Sequence, residues 1–178
     1  MKRKIDLWDY AGEILRAVPG GVLLTTKAGD KVNTMTIGWG TLGNEWATPI
    51  FTVFVRESRY TKELLDQNPE FTINVPCGAF DKKVLGLCGT KSGRDMDKIQ
   101  AAGLTLEAPE MISVPGIREF PLTLECRVIY KQEQNPEAIS EKNIKRFYPE
   151  DADGSGPRVK GDYHTTYYGE VVAAYIIA

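Results

Sequence analysis

From Ile5 to Val18 the apolar positions recur at helical spacing. Ile5, Trp8, Ile14, Leu15 and Val18 fall near one face, with Asp6 placed to cap the first turn. Pro19-Gly20-Gly21 ends that helix. The pattern then shortens to that of strands. VLLTTK begins at Val22, AGDK forms a turn, VNTMTIGWGTLG runs from Val32 to Gly43, and PIFTVFVRE runs from Pro49 to Glu57. SRYTKELLDQNP interrupts as a short helix with Ser58 as N-cap and Leu64 and Leu65 turned inward. EFTINVP returns to strand, and FDKKVLGL and RDMDKIQAAG (94–103) predict two short helices. Phe120 to Gln134 alternates apolar and polar as a long half-buried strand. Residues 135–162, rich in Pro, Gly and charge, predict a loop with a helical turn at Asn143–Phe147, and YHTTYYGEVVAAYII closes the chain as a strand. Many strands with helices at their connections predict a mainly β fold with helical decoration, a barrel and not a doubly wound sheet.

Composition narrows the function classes. The chain has 178 residues, enough for one domain (1–178) with a proper core. Its net charge of −2 argues against a nucleic-acid partner. Three cations in Met1–Lys4 are followed by Asp6, Asp9 and Glu13 and by no apolar run, so neither a secretory signal nor a membrane span is expected. Cys77, Cys88 and Cys126 are odd in number and form no CxxC, which fits reduced thiols in a cytoplasm. His164 is the single histidine, so a His-based metal centre is not expected.

The stretch CGTKSGRDMDK, Cys88 to Lys98, holds two glycines, two hydroxyls and three cations. It is no nucleotide P-loop, because Leu85 and Thr90 stand where the two required glycines belong. It reads either as a Gly-rich turn giving backbone amides to an anion at the start of the 94–103 helix, with Ser92, Arg94 and Lys98 nearby, or as a solvated loop. RESRYT, Arg56 to Thr61, is a second strand-to-helix junction of that type, alternatively an ordinary capped helix with surface arginines. NTMTIGWGTLG sets small and hydroxyl residues between Met35, Ile37 and Trp39, either a lining for a flat ligand or a strand relieved by glycine. His164 is a proton donor, a nicotinamide contact or a structural hydrogen-bonder.

LLTTK, NTMTIGW, PIFTVFVRESRYT, EFTINVP, LCGTKSGRDMDK and HTTYYGEVVAAYI together resemble, in order and spacing, the flavin reductase-like proteins of the FMN-binding split-barrel group. The resemblance implies a six-stranded Greek-key barrel, a homodimer, and FMN near the subunit interface. Carried over, Thr34, Met35, Thr36, Ile37, Gly38 and Trp39 look like the strand beside the isoalloxazine and ribityl chain. Arg56, Ser58, Arg59, Tyr60 and Thr61 look like the phosphate and ribityl loop. Asn74 matches the polar position after the next strand, and Thr90, Lys91, Ser92, Gly93 and Lys98 match the anion loop. His164 matches a family histidine near the nicotinamide site, although Tyr163 separates it from Asp162 where members often have Gly-Asp-His. With the Gly- and Pro-rich segment before it, His164 is the candidate for closing the flavin's open face.

The function so implied is an NAD(P)H-dependent flavin oxidoreductase passing hydride to a small-molecule or protein acceptor. A flavin carries its own chemistry, which accounts for the missing catalytic constellation. Two rivals stand beside it: an FMN-holding electron carrier not reduced directly by NAD(P)H, and a non-redox barrel that binds another flat ligand.

Overall fold

A computed structural model of the chain describes residues 1–149 and 161–178. β1 (Lys2–Lys4) leads into α1 (Leu7–Ala17), where the Asp6 carboxylate accepts the Trp8 amide as the expected cap. Then follow β2 (Val22–Ala28), β3 (Lys31–Ile37), β4 (Gly40–Glu45), β5 (Thr48–Arg56), α2 (Tyr60–Gln67) and β6 (Glu70–Val75). α3 (Lys82–Thr90), α4 (Lys98–Ala101) and the short β7 (Leu106–Glu107) and β8 (Gly116–Ile117) come next. β9 (Leu122–Glu133), α5 (Glu141–Phe147) and β10 (His164–Ile177) complete the order.

The main sheet is antiparallel in the order β3-β2-β6-β9-β10-β5-β4, with β1 added to β10. The six long strands β2, β3, β5, β6, β9 and β10 carry the expected Greek-key split barrel, and β4 extends it as an exposed hairpin partner of β5. Among the described residues no ladder joins β3 to β4. No helix among them is long and apolar enough to cross a membrane.

Period-two alternation feeds two cores. Val22 and Leu24 of β2 meet Phe51, Val53, Phe71, Ile73, Leu122, Leu124 and Tyr167 in the main one. Leu23, between them, joins Val84 and Cys88 of α3 with Leu104, Ile117 and Phe120 in the second. β10 curves through register shifts at Tyr168/Gly169 and Val171/Ala173, the usual effect of bulges in a long strand.

Local expectations need four corrections. The strand foreseen over Val32–Gly43 breaks at Gly38-Trp39, giving β3 and β4 as separate strands. Ser58 does not cap α2: Arg59 occupies that position, and no side chain caps the helix. The helix foreseen at 94–103 starts only at Lys98, capped by Asp97. The turn near Asn143 is a seven-residue helix beginning at Glu141.

Gly169 gives the barrel its tightest inner contact. A Cβ there would stand 2.6 Å from Phe71 Cε1 and 2.9 Å from Cys126 Cβ, both on strands that cannot easily yield. Gly169→Ala should therefore cost about 1–3 kcal/mol, read as a lower urea midpoint at unchanged m-value.

Candidate functional site

In the β10–β5 ladder His164 lies opposite Arg56. Next to this pair, the break after β3 turns Trp39 outward at 40% exposure. Between them lies a cavity of about 170 Å³, lined by Met35, Thr36, Ile37, Gly38, Trp39, Phe54, Arg56, Arg59 and His164. Trp39 meets Phe147 edge-on at 5.0 Å and the His164 ring at 5.1 Å.

His164 is 5% exposed and fully engaged on one side. Its backbone N–H donates to Gln134 Oε1 at 3.2 Å, which fixes the orientation of that amide. Tyr148 Oη lies 2.9 Å from the same Oε1 and 2.7 Å from His164 Nδ1. An amide oxygen only accepts, so the one hydroxyl proton goes to Gln134 and Nδ1 must carry the proton donated to Tyr148. Nε2 is left as a bare acceptor. Burial, with the Arg56 charge second, pushes the imidazole pKa down to about 4, so the ring is neutral at pH 7.

A second cavity, about 90 Å³, lies between β3, the start of α2 and the 88–98 segment. It shares Met35 and Arg59 with the first, so the two are joined. Lys98 stands in its wall at 4% exposure, with Nζ donating to Cys88 O at 3.2 Å. Burial pushes its pKa down to about 8, with the neighbouring Arg59 charge contributing. No carboxylate pairs with Lys98 or Arg59 among the described residues. Arg94 is by contrast spent on Glu63 and Ser58 O. Asn33, 3% exposed, donates through Nδ2 to Thr61 Oγ1 at 3.0 Å, while its Oδ1 has no partner. Gly93 packs so closely over it that a Cβ would lie 2.9 Å from Asn33 Cγ and from Tyr60 Cδ1.

The structure gathers most of the expected residues. Thr36, Ile37, Gly38, Trp39, Arg56 and His164 line the first cavity, Ser58, Tyr60, Thr61, Lys91, Ser92, Gly93 and Lys98 the second, and Met35 and Arg59 both. Three do not reach it. Thr34 is spent inside the sheet, accepting from Thr25 Oγ1 and donating to Leu24 O. Asn74 donates to Thr25 and Thr72 and accepts from the Ile117 amide, tying β6 to β8. Thr90 is exposed and bonds back to Gly86 O one turn earlier.

Two expected phosphate ligands are otherwise engaged. The Arg56 guanidinium donates to Asp162 O at 2.7 Å and Phe147 O at 3.1 Å and lies over the Tyr148 ring. The Ser58 amide and hydroxyl both donate to the Asp162 carboxylate, at 2.9 and 2.7 Å. Arg56 is thus a clasp between chain segments. The 88–98 stretch also runs opposite to expectation: its first three residues close α3, so carbonyls and not free amides emerge there. Asn33, Phe54, Gln134, Tyr148 and Asp162 went unread. Of these only Asn33 carried a signal, an amide amid β-branched and apolar strand residues. The Gly- and Pro-rich part of the segment before His164, 150–160, lies outside the described residues.

Residues 15–178 match the sequence model of the family described as flavin reductase like domain. An uncharacterized protein of Archaeoglobus fulgidus is 34% identical over 104 residues, 58% of each chain. The aligned part thus spans little more than half of that relative. An uncharacterized protein of Pyrococcus abyssi is 27% identical over 143 residues, 79% of this chain and 81% of its own. Flavoredoxin from Methanosarcina acetivorans superposes with a TM-score of 0.65 at 27% identity, over 88% of this chain and 68% of that one. An NADH:FAD oxidoreductase of Streptomyces globisporus shares the fold with a TM-score of 0.62 at 20% identity, over 92% of this chain and 81% of that one.

As the chain's one histidine, His164 gives a single imidazole NMR signal, expected to titrate near pH 4 against 6.5 for a free ring. With the folded value depressed, the unfolded chain takes the proton first. Stability is then whole above pH 6.5 and falls by about 3 kcal/mol towards pH 4, provided the folded pKa is about 4. His164→Ala should remove that slope, and a midpoint near 6.5 would show an accessible ring.

Proposed function

The chain belongs to the flavin reductase-like family, and we propose that it holds FMN across the two joined cavities as an NAD(P)H-dependent flavin oxidoreductase. The observation that carries this is Lys98, a buried cation beside Arg59 with no carboxylate among the described residues to neutralise either. Such a charge is costly to bury alone and is stabilised by an anion that completes it. A phosphate monoester suits the place. The Tyr60 and Thr61 amides, first in α2, have no intrahelical acceptor and add two donors. Asn33 can serve as well, because Thr61 Oγ1 accepts or donates equally and lets the amide turn either end to a ribityl hydroxyl or a phosphate oxygen.

The first cavity suits the ring system. Met35, Ile37, Phe54 and Trp39 offer a flat apolar wall, and His164 a neutral acceptor nitrogen. Bound flavin supplies the hydride exchange itself. The chain binds, orients and limits water, and His164, held by Tyr148 and Gln134, acts as a positioning residue for whatever stacks on the exposed face. The hydride donor in this proposal is NAD(P)H and the acceptor a small molecule or protein, in a cytoplasmic homodimer. The dimer is supported by an aromatic row, exposed Trp46 on exposed Tyr130 on half-buried Tyr168, whose hairpin tip holds Trp46 and Ala47 at positive φ.

Lys98→Met should weaken FMN roughly ten- to a hundredfold, the loss of one charge-assisted bond, and leave riboflavin within twofold. Equal losses for both ligands would place the phosphate elsewhere. With Lys98 at about 8 in the empty protein, FMN binding above that pH must take up a proton, so its affinity should fall by roughly tenfold per pH unit. A flat profile from pH 8 to 10 would free Lys98 from the phosphate.

NADH or NADPH should bleach bound FMN anaerobically, and air should restore the colour. His164→Ala should slow bleaching by about tenfold, a larger change than it makes in FMN affinity. No bleaching by either nucleotide would leave an electron carrier, and no flavin binding at all would end the proposal.

A further inference from the structure

Trp39 is wall to two cavities. Besides the first, it lines one of about 340 Å³ together with Gln134 just after β9, Ile139, Asn143 and Phe147 of α5, and Tyr148 at the end of that helix. The shared ring sets this cavity beside the one assigned to the flavin ring. We propose, resting on the flavin oxidoreductase reading above, that this cavity seats the electron acceptor and that the acceptor is a neutral quinone.

Charge makes the first selection. Among the described residues this wall carries no cation and no carboxylate, whereas Arg56 and Arg59 line the first cavity and Lys91, Arg94 and Lys98 the second. A ferric carboxylate chelate or a flavin nucleotide would bring charge that nothing here meets. Shape makes the second. Trp39 and Phe147 meet edge to face at 5.0 Å, and with Tyr148 and Ile139 they offer flat apolar surface to a planar ring. The polar groups make the third. Gln134 Oε1 accepts from both the His164 amide and Tyr148 Oη, so the Gln134 amide nitrogen points away from them and donates to no residue among those described. Asn143, one turn before Phe147, adds a second amide to the same wall. Amide donors at the edge of an aromatic slot suit carbonyl oxygens on a neutral ring. The exchange balances as NAD(P)H, quinone and one proton giving NAD(P)+ and quinol. The hydride leaves the nicotinamide by way of the flavin, the proton comes from solvent, and both carbonyl oxygens end as hydroxyls.

The test pairs calorimetric titration of the flavin-free protein with turnover of the FMN-loaded protein. The probes are duroquinone, whose methyl groups block addition to thiols, and the anion ferricyanide. Duroquinone should bind the flavin-free protein and should not be displaced by FMN. Asn143→Trp, at an exposed position, fills the cavity and should raise the KM for duroquinone by roughly tenfold while leaving that for ferricyanide within about twofold. Ile139→Trp, outside the helix, gives the same comparison should the helix variant misfold. The proposal is overturned if duroquinone fails to bind or competes with FMN. It is also overturned if both variants leave the quinone KM unchanged, or if they raise the KM of both acceptors alike. Bleaching of bound FMN by NAD(P)H without quinone turnover defeats this inference alone, whereas failure to bind FMN defeats the assignment beneath it.

Discussion

The pairing of β10 with β5 is the constraint on which the site depends. It sets His164 opposite Arg56 and Thr166 opposite Phe54, so the last strand and the strand before α2 supply adjoining wall of the first cavity. A slip of one residue would turn every side chain of one strand to the other face. The imidazole would leave the cavity, and Tyr167 would leave the core. β10 resists such a slip because it is held by three strands at once, and because Gly169 fits against Phe71 in one register only. Arg56 then extends the ladder beyond its end. By donating to Phe147 O and Asp162 O it joins the residues on either side of the 148–161 segment, and Asp162 in turn holds Ser58.

Electrostatics at the second cavity run against the usual economy of a fold. Elsewhere the buried carboxylate is fully satisfied: Glu125 accepts the Glu110 and Met111 amides and the Tyr175 hydroxyl. Asp66 and Lys62 are likewise paired. Among the described residues Lys98 is buried beside another cation with a single carbonyl as hydrogen-bond partner. A buried cation so poorly matched supports the phosphate site proposed here.

Much of this was legible in the chain. The α1 cap at Asp6 is a local signal and emerges as read; the strand expected over Phe120–Gln134 forms at Leu122–Glu133, but its first five residues are buried on both faces where a half-buried strand was expected. Of the two readings of Asn33–Gly43, a lining or a strand relieved by glycine, Met35 to Trp39 do line a cavity, with Gly38-Trp39 in the break after β3. What failed to show was which polar group meets which. Ser58 and Arg56 meet Asp162 across more than a hundred residues, and no spacing rule reveals that Asp162 takes the donors meant for a phosphate. Asn74 and Thr34 sit among the right neighbours in sequence but on a buried polar network that ties β2, β6 and β8. The 88–98 stretch differs from its reading for another reason. It was read as opening the 94–103 helix, yet Gly89 and Thr90 end α3, where the dipole is negative and disfavours an anion. Only a cation reaching back over that end makes an anion tolerable there, and Lys98, bonded to Cys88 O, is that cation.

Burial shifts the two nitrogen bases of the site by a similar amount in the same direction, with opposite results. Lys98 falls from 10.5 to about 8 and His164 from 6.5 to about 4. At pH 7 the first is still charged and the second is neutral, because the shifted values fall on opposite sides of 7. The joined cavities therefore carry a buried lysine cation at the end that would hold phosphate and a neutral imidazole at the end that would face the nicotinamide. A neutral ring there matters for the proposed reaction, since hydride loss leaves the nicotinamide positive and an imidazolium beside it would oppose that change. One physical cause, desolvation by the same small barrel, so leaves one base charged and the other neutral at pH 7.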